Sequence, residues 1–334
     1  MLLRKVVGMS LLLPAVQVSA SCGYGTILHP RAENGTLEVK DFGYFGSKGP
    51  TVWVALDPTA NALCASGNSQ SPINLVKGSQ SIVPAAELKL AIPDMPDGAT
   101  FENLGTTVEV VAAGGNMSFG GTAYTLQQFH FHLPSEHLDN GASMAMEMHM
   151  VWQGAGGEVA VVGVFVDIAD GAAAGAAPQD GAVAAEAQSR RRSPSLRTRS
   201  KRAAQAAAPP LPGIKTGFFH VNAPDNEAKV SSTLLETVLS SVAEVSTPGS
   251  TTKTKPLVMS ELVDTLAAGA FQTYEGSLTT PPCSEGVRWL VSNQILSIQP
   301  DTFLGARSVI GFNSRFPQNT PGQANVLSLA AARL

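Results

Sequence analysis

The stretch Gln128-Phe129-His130-Phe131-His132 carries the strongest structural signal in this chain. Successive side chains of a β-strand point to opposite faces, so Gln128, His130 and His132 share one face and both phenylalanines share the other. One face of such a strand is apolar, while the other carries an amide and two imidazoles. The alternation therefore predicts a β-strand that presents two histidines together.

A second segment, residues 147–151, repeats this alternation and places Glu147, His149 and Val151 on one face. The intervening chain contains the turn-forming residues 139–141. It is long enough for the second segment to return as an adjacent antiparallel strand. Three imidazoles could then converge within one side-chain length.

Three histidines that converge in this way match the ligand set of an open zinc site. Three neutral imidazoles leave the dication its full charge and a fourth position for water, which becomes strongly acidic. Gln128 and Glu147 flank the histidines and could orient the ring N–H groups. A set of hydrogen-bonded or surface histidines is the alternative, and spacing alone does not fix the identity of a metal.

The rest of the chain favours a β-rich architecture. Its 334 residues include 32 glycines and 22 prolines, which favour many turns over a helical bundle. Alternation or β-branched content predicts strands over residues 107–112, 125–132, 146–152 and 160–167. Leucines and valines at helical spacing, preceded by serines, predict an amphipathic helix over residues 231–245.

Composition and charge restrict the class of protein and its partners. A hydrophobic fraction of 44% rules out a wholly disordered chain, and the length suffices for one large domain or two small ones. The net charge of −4 gives no general reason to expect a nucleic acid or an anionic membrane as a partner. Composition does not fix an oligomeric state.

A shift in composition marks residues 170–212. Alanine and glycine come first, then seven basic residues without an acid between them, and then prolines. Such a segment cannot bury enough apolar surface to offset its ordering entropy, so we predict a disordered surface insertion. The basic run is typical of a solvated loop, and proteolytic processing after Lys201-Arg202 is the alternative.

The N-terminal residues have the pattern of a secretory signal peptide. Residues 4–5 are basic, residues 6–16 are apolar, and residues 18–20 form a small-residue cleavage site. A membrane anchor is the alternative, but the apolar run is shorter than the roughly 20 residues that span a bilayer. No later segment is long and apolar enough to span one. We therefore expect a signal peptide over residues 1–20 and a secreted, extracellular domain over residues 21–334.

Export affects the interpretation of the cysteines and of two asparagines. An oxidising compartment permits a disulfide, so Cys64 and Cys283 could pair although they lie far apart in sequence. Cys22 has no obvious partner, and three fates stay open for it: free, blocked or paired with another chain. Asn34 and Asn116 begin acceptor triplets for N-glycosylation, provided that the host is a eukaryote.

Several blocks of the chain together resemble the alpha-class carbonic anhydrases of the secreted, eukaryotic type. The blocks are residues 43–53, Gln70-Ser71-Pro72-Ile73-Asn74, residues 128–132 with Pro134-Ser135-Glu136-His137, Glu147-Met148-His149, residues 274–283 with Ser277-Leu278-Thr279-Thr280-Pro281-Pro282, and Asn313-Ser314-Arg315. They keep the family's order from about Phe42 to Arg315, interrupted chiefly by the segment 170–212. The resemblance implies one mainly β domain, with a large twisted, mostly antiparallel sheet and a few peripheral helices.

The same resemblance implies an activity. It is the zinc-dependent, reversible hydration of carbon dioxide to bicarbonate and a proton, by attack of a zinc-bound hydroxide. Zn²⁺ is the implied cofactor, carbon dioxide and bicarbonate are the implied partners, and ester hydrolysis is an expected side activity. A noncatalytic relative that serves as a binding or adhesion module is the alternative of a different class. Such relatives lose zinc ligands, whereas this chain keeps all three histidines.

The resemblance also implies roles for single residues. His130, His132 and His149 match the zinc ligands. Thr279 matches the threonine that accepts a hydrogen bond from the zinc-bound hydroxide, and Glu136 matches the carboxylate that orients this threonine. The further matches are partners of the ligands (Gln128, Glu147), buried hydrogen-bonding positions (His137, Tyr274), the substrate pocket (Val151, Val161, Leu278, Thr280, Val287, Trp289) and a disulfide (Cys64, Cys283).

One position departs from the pattern of fast members of the family. They place a proton-shuttling histidine in an Asn-x-Gly-His stretch, and the matching residues here are 103–106, which end in Thr106. Threonine does not titrate near neutral pH, so we expect slower turnover that depends on buffer. His29, His220 or Glu109 could substitute, but nothing in the sequence places them near the site.

Overall fold

The computed structural model describes residues 22–31, 37–112, 114–169 and 230–332. The predicted signal peptide, the acceptor Asn34, the predicted insertion and His220 lie outside these residues. All statements about the fold below concern the described part of the chain.

Strands dominate the regular structure. They are β1 (Asn74–Leu75), β2 (Ser81–Pro84), β3 (Thr100–Asn103), β4 (Val108–Val111), β5 (Asn116–Phe119), β6 (Thr122–His132), β7 (Leu138–Asp139), β8 (Met146–Gly154), β9 (Val159–Ile168), β10 (Thr251–Lys253), β11 (Ala270–Ser277), β12 (Glu285–Ser292) and β13 (Leu296–Ile298). The four strands predicted from alternation correspond to β4, β6, β8 and β9.

The helices are short. They are α1 (Trp53–Leu56), α2 (Leu63–Ser66), α3 (Ala85–Leu88), α4 (Thr233–Leu239), α5 (Met259–Ala267), α6 (Pro300–Ile310) and α7 (Val326–Ala331), with 3-10 turns at Gly46–Lys48 and Val242–Val245. Within the residues that the structure describes, no helix combines the length and the apolar character that crossing a membrane requires.

A single large sheet organises the described residues. Its main order is β10-β3-β4-β6-β8-β9-β12-β11-β2, and β5 and β13 pair with β6 and β9 respectively. Strands β12 and β13 run parallel to β9, and the other pairs of this sheet are antiparallel. The small strands β1 and β7 pair in parallel outside this sheet. The prediction of a mainly β domain with a large, mostly antiparallel sheet and few helices is confirmed.

The two faces of the central strands carry different side chains, apolar residues on one face and histidines on the other. On one face, Phe129 and Phe131 of β6 and Met148 and Met150 of β8 are fully buried in the main hydrophobic core. Residues of α4, α5 and α6 belong to the same core. Because side chains alternate along a strand, burying these four apolar residues turns the intervening histidines to the opposite face.

The predicted helix over residues 231–245 is wrong in its extent. It divides into α4 and a separate 3-10 turn, with Ser240 and Ser241 between them. The Ser240 hydroxyl donates to the backbone oxygen of Thr237 at 2.8 Å, and the Ser241 N–H donates to the backbone oxygen of Val238 at 3.3 Å. Serine side chains compete with the backbone in this way, and the tighter turn ends the α-helix.

The cysteines divide into one pair and one free residue. Cys64 in α2 and Cys283 after β11 form a disulfide that joins positions 219 residues apart, so this predicted pairing is confirmed. Cys22 is free and fully buried. Of its three open fates, pairing with another chain is incompatible with this buried position.

Candidate metal centre

Three histidines meet on the face of the sheet opposite the main core. In the pairing of β6 with β8, His130 lies directly opposite His149, and His132 lies opposite Glu147. The ring centroids of the three histidines are 5.1, 5.4 and 4.5 Å apart. None of these side chains is more than 1% exposed. The register of two adjacent strands thus brings three buried imidazoles together.

One nitrogen of each ring is held by an oxygen atom that can only accept a hydrogen bond from it. The bonds join His130 Nδ1 to Gln128 Oε1 at 2.8 Å, His132 Nδ1 to the backbone oxygen of Asn313 at 2.8 Å, and His149 Nε2 to Glu147 Oε1 at 2.9 Å. Each ring therefore carries its proton on this nitrogen, which leaves the other nitrogen with a free lone pair.

The remaining nitrogens form an unsatisfied set. His130 Nε2, His132 Nε2 and His149 Nδ1 are buried and have no hydrogen-bond partner. Burial lowers the pKa of all three rings, to about 4 for His132, so the imidazoles are neutral. Buried polar atoms without partners are uncommon, and three neutral nitrogens on one side fit a zinc ion that keeps one position open. These residues could hold the metal.

Glu147 is the polar centre behind the metal ligands. Its Oε1 accepts from His149 and from Nδ1 of His137 at 2.7 Å, and its Oε2 accepts the backbone N–H groups of Glu136 and His137 at 2.9 and 2.8 Å. Burial by itself raises the pKa of Glu147, but His137 and His149 outweigh it and hold the pKa well below its usual value. The carboxylate is therefore ionised and accepts four hydrogen bonds.

His137 extends this network away from the metal centre. Its Nε2 lies 2.7 Å from the hydroxyl oxygen of Tyr274, which in turn donates to Ser71 Oγ at 2.9 Å. Ser71 Oγ also accepts the backbone N–H of Ser277 at 3.0 Å. The network joins β8 to β11, so the position of Glu147 is set by two distant parts of the sheet.

Glu136 and Thr279 each direct an unpartnered atom into the same region. Glu136 Oε1 accepts the backbone N–H of Arg315 at 2.8 Å, while its Oε2 has no hydrogen-bond partner and lies 3.9 Å from His149 Nδ1. Burial raises the pKa of Glu136 to about 7, and His149, the Arg315 amide and the nearby Thr279 hydroxyl oppose this rise. Thr279 Oγ1 is buried and also lacks a hydrogen-bond partner.

A family model described as eukaryotic-type carbonic anhydrase matches residues 48–176 and 203–323, which is most of the chain. The chain belongs to the carbonic anhydrase family. Its activity class by family is therefore carbonate dehydratase. The match begins at residue 48, so the described residues 22–31 of this carbonic anhydrase lie before it.

Three relatives show the extent of the similarity. A fungal alpha carbonic anhydrase from Aspergillus oryzae is 31% identical with a TM-score of 0.67, and the similarity covers 88% of this chain and 99% of that one. Alpha carbonic anhydrase 5 of Arabidopsis thaliana is 38% identical over 147 residues, which are 42% of this chain and 52% of the plant protein. An alpha-carbonic anhydrase from Thermovibrio ammonificans, solved with the inhibitor sulfanilamide, is 27% identical with a TM-score of 0.58, covering 85% and 96% of the two chains. The chain thus spans about half of the plant relative's length and nearly all of the fungal structure.

The predicted substrate pocket of this carbonic anhydrase is an apolar wall beside the histidines. Trp289 donates its Nε1–H to the backbone oxygen of Ser277 at 3.0 Å, and its ring lies 4.8 Å from that of His149. The predicted pocket residues Val151, Val161, Leu278, Val287 and Trp289 are all at most 1% exposed and lie in one hydrophobic cluster. Thr280 is equally buried next to Thr279.

The predicted proton-transfer positions differ in their surroundings. Thr106 is 7% exposed, and its Oγ1 has no hydrogen-bond partner. His29 contacts Lys40, and burial together with Lys40 lowers the pKa of His29 to about 4. Glu109 is ion-paired with Arg31, yet burial raises its pKa to about 8. His29 is therefore a poor base at neutral pH, and Glu109 is already ion-paired with Arg31.

Two supporting residues carry no role in the sequence analysis. The backbone oxygen of Asn313 orients His132. The Asn313 side chain donates to the backbone oxygens of Thr106 and Phe131 at 3.0 and 2.8 Å. Arg315 is 1% exposed and donates from its guanidinium to Ser71, Cys64 and Gln70. The motif Asn313-Ser314-Arg315 was a signal for both, since it contributes to the family resemblance.

The predicted acceptor Asn116 lies on the surface. Asn116 begins β5 with an exposed side chain, and its backbone pairs with Ala91. The structure thus leaves the Asn116 amide open to solvent.

Proposed function

We propose that this carbonic anhydrase catalyses zinc-dependent, reversible hydration of carbon dioxide to bicarbonate and a proton. The set of unpartnered nitrogens on His130, His132 and His149 is the observation that carries this proposal. When bound, zinc supplies a hydroxide at neutral pH by lowering the pKa of its water to about 7, for which carbonic anhydrase is the standard example. The chain's own residues determine how that hydroxide is oriented and what it meets.

Gln128, Glu147 and the Asn313 backbone hold the three rings in the tautomers that face a metal. Each accepts the only N–H of its histidine, so each free lone pair has a fixed direction. The ionised Glu147 also makes the His149 ring a stronger electron donor. These contacts support zinc as the cofactor because the three ring nitrogens are already oriented before the metal binds.

Thr279 and Glu136 act together on the reacting oxygen. An ionised Glu136 Oε2 can accept a hydrogen bond from the Thr279 hydroxyl, and Thr279 Oγ1 can then only accept a further hydrogen bond. Thr279 Oγ1 therefore binds only a hydrogen-bond donor such as hydroxide. This bond directs a lone pair of the hydroxide toward the substrate. A preorganised acceptor of this kind needs no rearrangement during the reaction.

The apolar wall suits an uncharged substrate. The apolar wall offers no free hydrogen-bonding group to a small molecule beside the histidines. The side chains of Val151 and Leu278 have none, and the Trp289 N–H already donates to the backbone oxygen of Ser277. Moving uncharged carbon dioxide from water to such a surface costs little solvation free energy, whereas moving the bicarbonate anion costs much. This difference promotes release of the product. Ester hydrolysis in the same site is the expected side activity.

Proton transfer is proposed to depend on external buffer. Thr106 stands where fast members place a histidine, and it cannot accept a proton near neutral pH. Buried His29, with its lowered pKa, does not replace that histidine.

We also propose that the protein is exported through the signal-peptide pattern of residues 1–20. The disulfide between Cys64 and Cys283 supports this, because such bonds persist in oxidising compartments. Glycosylation at the exposed Asn116, and at Asn34, is part of the same proposal.

The test is stopped-flow hydration of carbon dioxide by the purified chain, with its zinc content assayed. We expect one zinc per chain and a rate that disappears on chelation, returns with zinc and is inhibited by sulfanilamide, the inhibitor bound to the Thermovibrio relative. A chain that binds no zinc, or whose rate does not follow its zinc content, contradicts the proposal and favours the binding module.

A further inference from the structure

Cys22 lies at the metal centre although it precedes the family match. Its Sγ atom and one ring nitrogen each of His130 and His149 all lie within 4.8 Å of one another. The Cys22 side chain is fully buried, and both rings keep an unpartnered nitrogen. The sulfur is therefore close enough to bind the same ion as His130 and His149.

We propose that Cys22 is the fourth protein ligand of the metal and that residues 22–31 are a closing segment that holds most molecules latent, so that the wild-type chain keeps only a low hydration rate. This inference rests on the proposed zinc site. Thiolate and imidazole are both preferred zinc ligands, and a site with four protein ligands has no position for water. On formation of the sulfur–zinc bond, the S–H proton would pass to the hydroxide in the fourth position, which would leave as water.

The backbone around Cys22 packs against Thr280, the neighbour of Thr279, and against the apolar wall. The Cys22 N–H donates to Thr280 Oγ1 at 3.1 Å, and the side chain belongs to the same hydrophobic cluster as the wall. A Cβ atom added at Gly23 would lie 3.2 Å from Leu278 Cδ1, so the next residue also packs closely. The segment therefore occupies the space that a substrate needs.

A second set of contacts anchors the other end of the closing segment. Arg31 forms ion pairs with Glu102 and Glu109, and Glu109 lies opposite His130 in the pairing of β4 with β6. The buried Tyr24 ring is covered by Arg31 Cζ at 4.6 Å and by Lys40 Nζ at 4.0 Å. One end of the segment is thus tied to the loop after β11, and the other to β3 and β4, which adjoin the ligand strand β6.

The test compares the wild-type chain with Cys22→Ala after replacement of zinc by cobalt(II). The protein is used as secreted, with mass spectrometry confirming that its first residue precedes Cys22. The other two of the three cysteines form the disulfide, so a cobalt–thiolate absorption band can arise only from Cys22. Cys22→Ser serves as a second variant of nearly unchanged size.

We expect the thiolate band in the wild type, its loss in both variants, and a rise in zinc-dependent hydration of about tenfold or more in the variants. X-ray absorption of the zinc form should show one sulfur at about 2.3 Å in the wild type only. One bound cobalt without a thiolate band, or equal hydration rates in all three chains, overturns the inference and leaves the proposed function in place. Failure of all three chains to bind metal overturns the proposed function itself.

Discussion

Glu147 Oε1 accepts the Nε2 proton of His149 at 2.9 Å, and this contact decides that Nδ1 is the nitrogen of His149 left for a metal. The other two ring systems leave Nε2 free instead. Gln128 lies two residues before His130 just as Glu147 lies two residues before His149, so the asymmetry lies in which ring nitrogen faces the acceptor and not in the spacing. The coordination geometry is therefore set by groups that do not touch the metal.

Replacing Glu147 by Gln should weaken metal binding without removing a ligand. A neutral amide cannot accept from both His137 and His149 as strongly, and its NH₂ group would face N–H donors. We expect a loss of 10–100-fold in zinc affinity, measured by competition with a chelator. Glu275→Gln, at a residue that is 63% exposed, is the matched control and should keep wild-type affinity. Equal affinities for the two variants would contradict the role given to Glu147.

The position of the histidines was predictable from sequence because a strand has a strict period of two. Once Phe129 and Phe131 pack into the core, His130 and His132 must share the opposite face. The partner of His132 was not predictable in this way. It is a backbone oxygen 181 residues away in sequence, and a backbone group of any residue type could supply it.

The position of the closing segment was also not predictable from the sequence pattern. Its docking depends on Arg31 meeting Glu102 and Glu109, which no local period connects. Cys22 by sequence was only an unpaired thiol, since burial and proximity to histidine arise from the tertiary fold. The division of the helix at Ser240 shows the same limit, because local side-chain hydrogen bonds outweighed the apolar spacing.

Thr279→Val should separate catalysis from metal binding. Valine has a similar shape but lacks Oγ1, so it cannot accept a hydrogen bond from the reacting hydroxide or donate to Glu136. We expect kcat/KM for carbon dioxide to fall by about 10²-fold, at unchanged zinc content. The rates are best measured in the Cys22→Ala background, where latency does not mask them. Thr279→Ser keeps the hydroxyl and should restore most of the rate, and a Val variant as active as the Ser variant would refute this role.

Thr106→His should make turnover less dependent on buffer. An imidazole at this position can accept and release a proton near neutral pH, which threonine cannot do. In dilute buffer and the Cys22→Ala background we expect a higher kcat, while in concentrated buffer the two chains should converge. Thr106→Gln adds bulk without a titrating group and is the control. If His and Gln variants behave alike at every buffer concentration, proton transfer at this position is not limiting.

The pH dependence of stability should contain a contribution from buried His29. Its ring faces Lys40, Glu38 at 3.5 Å and the Tyr24 ring at 5.2 Å, and burial followed by Lys40 lowers its pKa to about 4. The pKa of His29 in the unfolded chain is about 6.5. At pH values between about 4 and 6.5, His29 is therefore protonated in the unfolded chain but not in the folded chain. The contribution is therefore fully present above pH 6.5 and is lost as the pH falls toward 4.

His29→Gln removes this linkage and so isolates it. The free energy of unfolding of the wild type minus that of the variant should be largest at neutral pH and should shrink by up to about 3 kcal/mol toward pH 4, as measured by urea unfolding. Lys40→Met removes the nearby positive charge, raises the pKa of His29 and should reduce the same pH dependence. Parallel stability curves for the wild type and His29→Gln would show that His29 keeps an ordinary pKa in the folded protein.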